Sequence, residues 1–285
     1  MSANSFKVEG LRVDSQEEFT RLESDNCWRN LLYYPEEFRS ANRHPVVFTS
    51  KVFESVSFKD TDFKNIRFVR CEFRQCLFAG ASFSDCEFID CRFLKTNTSK
   101  LRIHRTLLSP VDFKDNFDLI YDTNIAIGLY QALYKNASDE HQPEHAIESL
   151  YQMERAKNAH LDSQKKREVI TNVDYIKGKI SHWFYDFVTG YGLRPLRVVR
   201  LLFIVLGLFS ALNYLLDDLI FGESSNLSFV ESIYFTVVTI TTLGYGDMVP
   251  LTIAGKIFIT FQALAGFVVM SLFLAAVVNI ALRSR

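Results

Sequence analysis

Ten phenylalanines, Phe48, Phe53, Phe58, Phe63, Phe68, Phe73, Phe78, Phe83, Phe88 and Phe93, recur on every fifth residue. That period excludes a straight strand, whose side chains alternate with a period of two, and a helix, whose faces return about every 3.6 residues. It suits a chain that turns a corner once per repeat with each Phe pointing inward, so that stacked repeats bury one continuous core. Ile103, Leu108 and Phe113 keep the same phase. Cys71, Cys76, Cys86 and Cys91 each precede a repeat Phe by two residues, the place taken by Val56, Ile66 and Ala81 in neighbouring repeats. They are read as small, inward-facing, reduced thiols. Two C-x4-C pairs also look like metal ligands, but the spacing is wrong for a zinc ribbon and the repeat phase accounts for all four.

The period resembles that of the pentapeptide-repeat family. The resemblance implies a right-handed quadrilateral β-helix over 46–116, with four repeats to a coil. Cys71 and Cys91 would then stack one coil apart, at about the ~4.8 Å interstrand spacing and within disulfide reach, so oxidation there would modulate the domain. An open solenoid end needs covering, and residues 1–45, with Trp28, Leu31, Leu32, Tyr33 and Phe38, are expected to form an N-terminal cap. Some members of the family mimic nucleic acid with an acidic surface. Here Lys59, Lys64, Arg67, Arg70, Arg74 and Arg92 alternate with Asp60, Asp62, Glu72, Asp85, Glu87 and Asp90. That is an ordinary solvated face, and no nucleic-acid partner is expected.

Beyond the repeats the period becomes helical. Leu119, Ile125, Leu129 and Leu133, a polar break at Ser138 to Pro143, then Ile147, Leu150, Tyr151 and Ala156 predict a helical hairpin over 117–168. The hairpin resembles a single tetratricopeptide-like unit, and its simplest role is to cap the solenoid and space it from the segment that follows. Ile176, Ile180, Trp183, Phe184 and Phe187 form one apolar stripe, with Lys177, Lys179 and His182 on other faces, predicting an interfacial helix over 174–192. Cationic flanks would draw anionic lipids to it.

A net charge of -1 and 23% charged residues describe an ordinary soluble chain, but the average conceals a division. The last third holds two segments long and apolar enough to span a bilayer, one over 198–221 and one over 254–282, whose part from Ile257 to Leu282 is free of charge. Between them, 229–241 is apolar and dotted with hydroxyls, too short to span and suited to a re-entrant helix. It leads into Thr242-Leu243-Gly244-Tyr245-Gly246, followed by Asp247. In such a loop carbonyl oxygens replace the hydration shell of a potassium ion, glycines allow the backbone angles, and the Thr242 hydroxyl supplies a further oxygen. One chain contributes one strand of the ring, so function implies a homotetramer.

This order of outer helix, pore helix, filter and inner helix resembles the prokaryotic two-transmembrane-helix potassium channel pore, covering 196–285. The resemblance implies K+ binding at Thr242, Leu243, Gly244, Tyr245 and Gly246, supported by Tyr234, Thr239, Thr241 and Asp247. Leu243 stands where the family usually has Val or Ile, and Val238 where some bacterial members carry Glu. Tyr234 and Phe235 replace a Trp pair: Tyr234 can hydrogen-bond Asp247, while Phe235 offers Tyr245 no donor, so altered filter stability is expected. The alternative of a non-selective cation channel rests on Leu243. Gly266 is offered as a gating hinge or, equally, a close-packing point, and Phe267, Met270, Leu274 and Val278 as a greasy cavity and gate that closes by dewetting.

Arg194, Arg197, Arg200, Arg283 and Arg285 flank one end of the spans, while Asp217, Asp218, Glu223, Glu231 and Asp247 lie between them, so both termini are expected in the cytoplasm. Met1 to Gly10 carries no apolar signal core. A bacterial plasma (inner) membrane is the location the resemblance implies. A second filter-like string, Thr189-Gly190-Tyr191-Gly192, follows no hydrophobic span and is read as a turn. No regularly spaced arginine helix forms a voltage sensor. With three residues after Leu282, no C-terminal ligand-binding ring is expected. No cofactor is expected, no metal beyond permeant K+, and no enzyme, since the six histidines form no ligand spacing with acidic partners. Regulation would enter from the N-terminal side through an unidentified cytosolic ligand or protein. The remaining alternative is a membrane-anchored interaction scaffold, against which an intact filter loop argues.

Overall fold

The computed structural model describes residues 8–40, 44–222 and 226–283. Residues 1–7, Glu223 and Arg285 lie outside these. The chain forms two compact units, Met1–His182 and Trp183–Arg285.

The first unit is a parallel β-solenoid followed by helices. Its strands are β1 (Leu11–Val13), β2 (Cys27–Tyr33), β3 (Glu37–Arg39), β4 (Val46–Thr49), β5 (Val52–Ser57), β6 (Asp62–Lys64), β7 (Ile66–Val69), β8 (Glu72–Arg74), β9 (Ser82–Ser84), β10 (Glu87–Ile89), β11 (Arg92–Leu94) and β12 (Arg102–His104). They make three ladders, β1-β2-β5-β8-β11, β3-β6-β9-β12 and β4-β7-β10, and the bridges Ser57 to Leu77 and Leu77 to Asn97 supply a fourth face. Phe53 pairs with Phe73 and Phe73 with Phe93, twenty residues apart, which is four repeats to a coil.

Each corner is a residue with positive φ two places after the Phe: Ser50, Ser55, Asp60, Asn65, Arg70, Gln75, Gly80, Asp85, Asp90 and Lys95. A left-handed residue with a Cβ costs about 1–2 kcal/mol, so these corners persist because the ladders on either side hold them. The core is aromatic. Trp28, Phe53, Phe73, Phe93 and Phe113 stack in one column at 4.9, 4.9, 4.7 and 4.2 Å between successive rings. Such pairs contribute about 0.5–1.5 kcal/mol each beyond burial. The four repeat cysteines are free and buried, and each thiol donates to a carbonyl of the coil before: Cys71 to Phe48, Cys76 to Phe53, Cys86 to Phe63 and Cys91 to Phe68. Burial pushes the Cys76 thiol up to about 12, and a hydrogen bond to Cys71 together with burial holds Cys91 well above the usual thiol range.

The segment expected as a cap is itself partly solenoid. Trp28 pairs with Phe53 and Phe38 with Phe63, an offset of twenty-five residues where later coils use twenty. Trp28, Tyr33 and Phe38 sit on the fifth-residue phase, but this coil is one repeat longer, so the ladder begins before residue 46. The plug proper is α1 (Gln16–Arg21), which drives a fully buried Phe19 onto Trp28 at 5.3 Å. At the other end a 3₁₀ turn (Pro110–Phe113) seats Phe113 on Phe93. There two buried asparagines stand in for a missing coil. Asn116 accepts from the Thr96 amide at 2.7 Å and donates to the Thr96 carbonyl at 3.0 Å. Asn136 does the same for Thr106 at 3.1 and 2.7 Å.

Asn136 belongs to α2 (Thr123–Asp139), which packs on α3 (Pro143–Lys166) with Ile125, Leu129 and Leu133 buried. The first half of α4 (Asn172–Thr189) is tied to α3 through Asp162, which accepts from Tyr175 at 2.9 Å and Lys179 at 2.8 Å.

The second unit contains α5 (Pro195–Leu215), α6 (Asp217–Phe221), α7 (Phe229–Ile240) and α8 (Ile253–Arg283). Pro195–Leu215 and Ile253–Val278 are long and apolar enough to cross a membrane. The outer helix expected over 198–221 stops at Leu215. Leu216 leaves helical geometry at φ -109 and ψ 24, and the Asp217 carboxylate then accepts the Leu227 amide at 2.8 Å, so the acidic pair begins a separate short helix.

Candidate functional site

Helix α7 has definite ends. At its start Ser228 and Glu231 form a capping box: the Ser228 hydroxyl accepts the Glu231 amide at 3.3 Å and the Glu231 carboxylate accepts the Ser228 amide at 2.8 Å. At its finish Thr241 caps the helix, donating its hydroxyl to the Val237 carbonyl at 2.7 Å, and half-buried Thr239 accepts the Thr242 amide through its carbonyl at 3.2 Å. The chain then enters a strip in which left-handed residues alternate: Thr242 at φ 60, Gly244 at 54 and Gly246 at 79. Alternating positive φ is the backbone condition for a row of carbonyls on one side of the strand, and glycine meets it without steric cost. Leu243 and Tyr245 between them are exposed.

Asp247 follows the strip and both its oxygens are engaged. Tyr234 donates its hydroxyl to Oδ2 at 2.7 Å, and the Met248 amide donates to Oδ1 at 3.1 Å. This ties the outer end of the strip to the helix before it. Phe235 turns instead to Phe221, edge to face at 5.1 Å, and is buried there. Val238 is buried, and its carbonyl accepts the Leu243 amide at 3.1 Å.

Helix α8 runs unbroken through Gly266. A Cβ there would lie 2.6 Å from Ile240 Cγ1 and 3.1 Å from Ile240 Cα. Gly266 thus lies close against the base of α7. Phe267, Met270, Leu274 and Val278 share one face of α8, with Met270 half-buried and the others exposed. The filter-like string before α5 is a turn, with Gly190, Tyr191 and Gly192 all at positive φ. The Arg197 guanidinium pairs with Asp186 at 2.5 Å beside it. Along α4, Ile176, Ile180, Trp183, Phe184 and Phe187 are exposed in one stripe.

One cluster was not anticipated. Asn213 of α5, Thr236 of α7 and Gln262 of α8 are fully buried and joined by hydrogen bonds. The available signal was the presence of amides inside apolar spans, where polar side chains are costly. Among the described residues no group of His, Cys, Asp or Glu side chains could hold a metal ion.

Comparison with known proteins agrees with this arrangement. Residues 201–283 match the family model described as an ion channel, and residues 57–93 match that of pentapeptide repeats in eight copies. The A-type voltage-gated potassium channel KCND3 of Rattus norvegicus and that of Homo sapiens are each 48% identical over 58 residues. The match covers 20% of this chain and 9% of each relative, so the chain spans under a tenth of the length of these curated relatives. Pentapeptide repeats are thus joined in one chain to an ion-channel domain, and the chain is a membrane protein.

Proposed function

We propose that the chain is one subunit of a homotetrameric channel that conducts K+ passively and selectively across a bacterial plasma membrane. The observation that carries this reading is the strip Thr242 to Gly246, its positive φ values alternating at the end of a short capped helix between two membrane-length helices. Carbonyls and the Thr242 hydroxyl would coordinate dehydrated K+, which is the substrate. The chain supplies one wall, and four copies about an axis complete the ring. Phe267, Met270, Leu274 and Val278 would line the cavity below. Both termini would lie in the cytoplasm, and the apolar stripe of α4 would rest on the inner leaflet beside anionic lipids. Gating would come from the N-terminal unit, whose ties at Asp162 fix the start of α4.

Purified protein in liposomes should carry K+ flux in excess of Na+ flux, and Gly244→Ala should abolish it. Equal passage of both ions would favour a non-selective pore, for which Leu243 is the residue responsible. No flux from either protein, with or without the N-terminal unit, would leave a membrane-anchored scaffold. Deleting the residues before Asp174 should change open probability or assembly while leaving ion preference intact.

A further inference from the structure

Two amides sit at zero exposure inside the ion-channel domain, and each has one polar atom without a hydrogen bond. Asn213 Nδ2 donates to Thr236 Oγ1 at 2.8 Å and to Gln262 Oε1 at 3.1 Å. Thr236 Oγ1 in turn donates to the Ser232 carbonyl at 2.7 Å within α7. Asn213 Oδ1 and Gln262 Nε2 are buried without a partner. Such an arrangement is expensive where no water competes, and an apolar residue at each position would fold at lower cost. The three side chains come from three different helices, α5, α7 and α8, and all converge on the pore helix.

Gln262 lies one helical turn before Gly266, on the same face of α8. The two positions grip α7 at two heights: Gln262 reaches Thr236 by way of Asn213, and Gly266 receives Ile240 directly. Ile240 is the last residue of α7, immediately before the Thr241 cap and the filter strip. The lower grip is a contact of shape alone, which a small residue satisfies. The upper grip is directional, because a hydrogen bond to the Thr236 hydroxyl fixes the rotation of α7 about its axis as well as its distance.

We propose that Asn213 and Gln262 form a clasp that sets the rotation of the pore helix through Thr236, making all three positioning residues for ion selectivity. The proposal rests on the reading of the strip as a K+ filter. A turn of α7 about its axis swings the carbonyls at its C-terminal end and the first filter residue, Thr242, relative to the axis of the pore. The clasp touches no ion and acts only through α7.

The test uses the full chain in liposomes, with K+ and Na+ flux measured side by side and tetramer retention followed by size exclusion. Gly244→Ala-sensitive K+ flux is read first, and its absence both from the full chain and from the chain without its N-terminal unit would overturn the conduction reading and this proposal together. Thr236→Val, isosteric but without the hydroxyl, should assemble and show a K+/Na+ flux ratio about three- to tenfold lower, the scale of one interhelical hydrogen bond in a membrane. Thr236→Ser, which keeps the hydroxyl, should keep the ratio. Asn213→Leu combined with Gln262→Leu removes both unpaired amides at once, so it should assemble as well as the unsubstituted protein yet show the lowered ratio. A ratio unchanged in assembled Thr236→Val or in the double variant overturns the proposal, as does loss of assembly in both, which would make the cluster a folding element.

Discussion

The solenoid and the channel unit are both built on apolar residues, but they differ in who covers them. In the solenoid, Phe53, Phe73, Phe83 and Phe93 are each 1% exposed, and a single chain closes its own core. In the channel unit, Phe203, Ile257, Phe261 and Leu264 are each 64–69% exposed on helices that are apolar on most faces. Tyr245, in the strip after α7, is 67% exposed as well. The solenoid ladders pair rung on rung, so their backbone groups are satisfied within the chain. The channel helices satisfy their own backbone and leave those side chains uncovered by the chain. One half of the molecule buries its apolar residues within the chain, and the other leaves them exposed.

The largest expected effect falls on the exposed half. Gly244→Ala places a Cβ at φ 54, and repetition around a ring would multiply the distortion. Flux should disappear while the far-UV circular dichroism of the solenoid is unchanged; a loss of β signal would mean that the two halves do not fold independently. The converse change is Phe73→Ala, in the column between Phe53 at 4.9 Å and Phe93 at 4.7 Å. It should cost the solenoid about 3–5 kcal/mol, seen as an earlier thermal transition, and leave the K+ to Na+ preference of assembled protein unaltered.

A smaller effect should follow pH at the end of the solenoid. Burial, with the charge of Asp90 as a second cause, pushes Asp112 up to about 7, and its buried Oδ2 has no hydrogen bond. The fold accepts the neutral acid. The stability it confers is complete below the unfolded carboxylate value of about 4 and is lost as pH rises through about 7. The solenoid transition should therefore lie higher at pH 5 than at pH 8, and Asp112→Asn should flatten that difference. An undiminished difference in the variant would place the titration elsewhere. The smallest change is Tyr234→Phe, which removes one hydrogen bond to Asp247. At this exposed site water replaces much of what the bond supplies, so the effect is small. Bilayer recordings should show current declining faster under a sustained gradient with unit conductance preserved.

Local periodicity carried most of the fold. A Phe on every fifth residue implies a corner per repeat, and the positive φ values at Ser50 through Lys95 are those corners. The first coil was less legible, because its additional repeat shifts the register of Trp28 and Phe38 and breaks the twenty-residue spacing. The break of the outer helix at Leu216 escaped hydropathy too; just after it Asp217 accepts the amide of Leu227, ten residues away.

What the sequence by itself determined is whatever depends on neighbours along the chain: the inward column of the solenoid, the apolar length of two spans, and the glycines that permit the alternating backbone of the strip after α7. These are local, since side-chain direction and backbone angle follow from a few adjacent residues. Only the tertiary structure decided that Asn116 and Asn136 complete the ladder for Thr96 and Thr106, that Gly266 makes room for Ile240, and that Asn213 meets Thr236 and Gln262. Each joins residues twenty or more positions apart, and no period in the chain encodes which polar group a folded backbone will bring within hydrogen-bond reach of another.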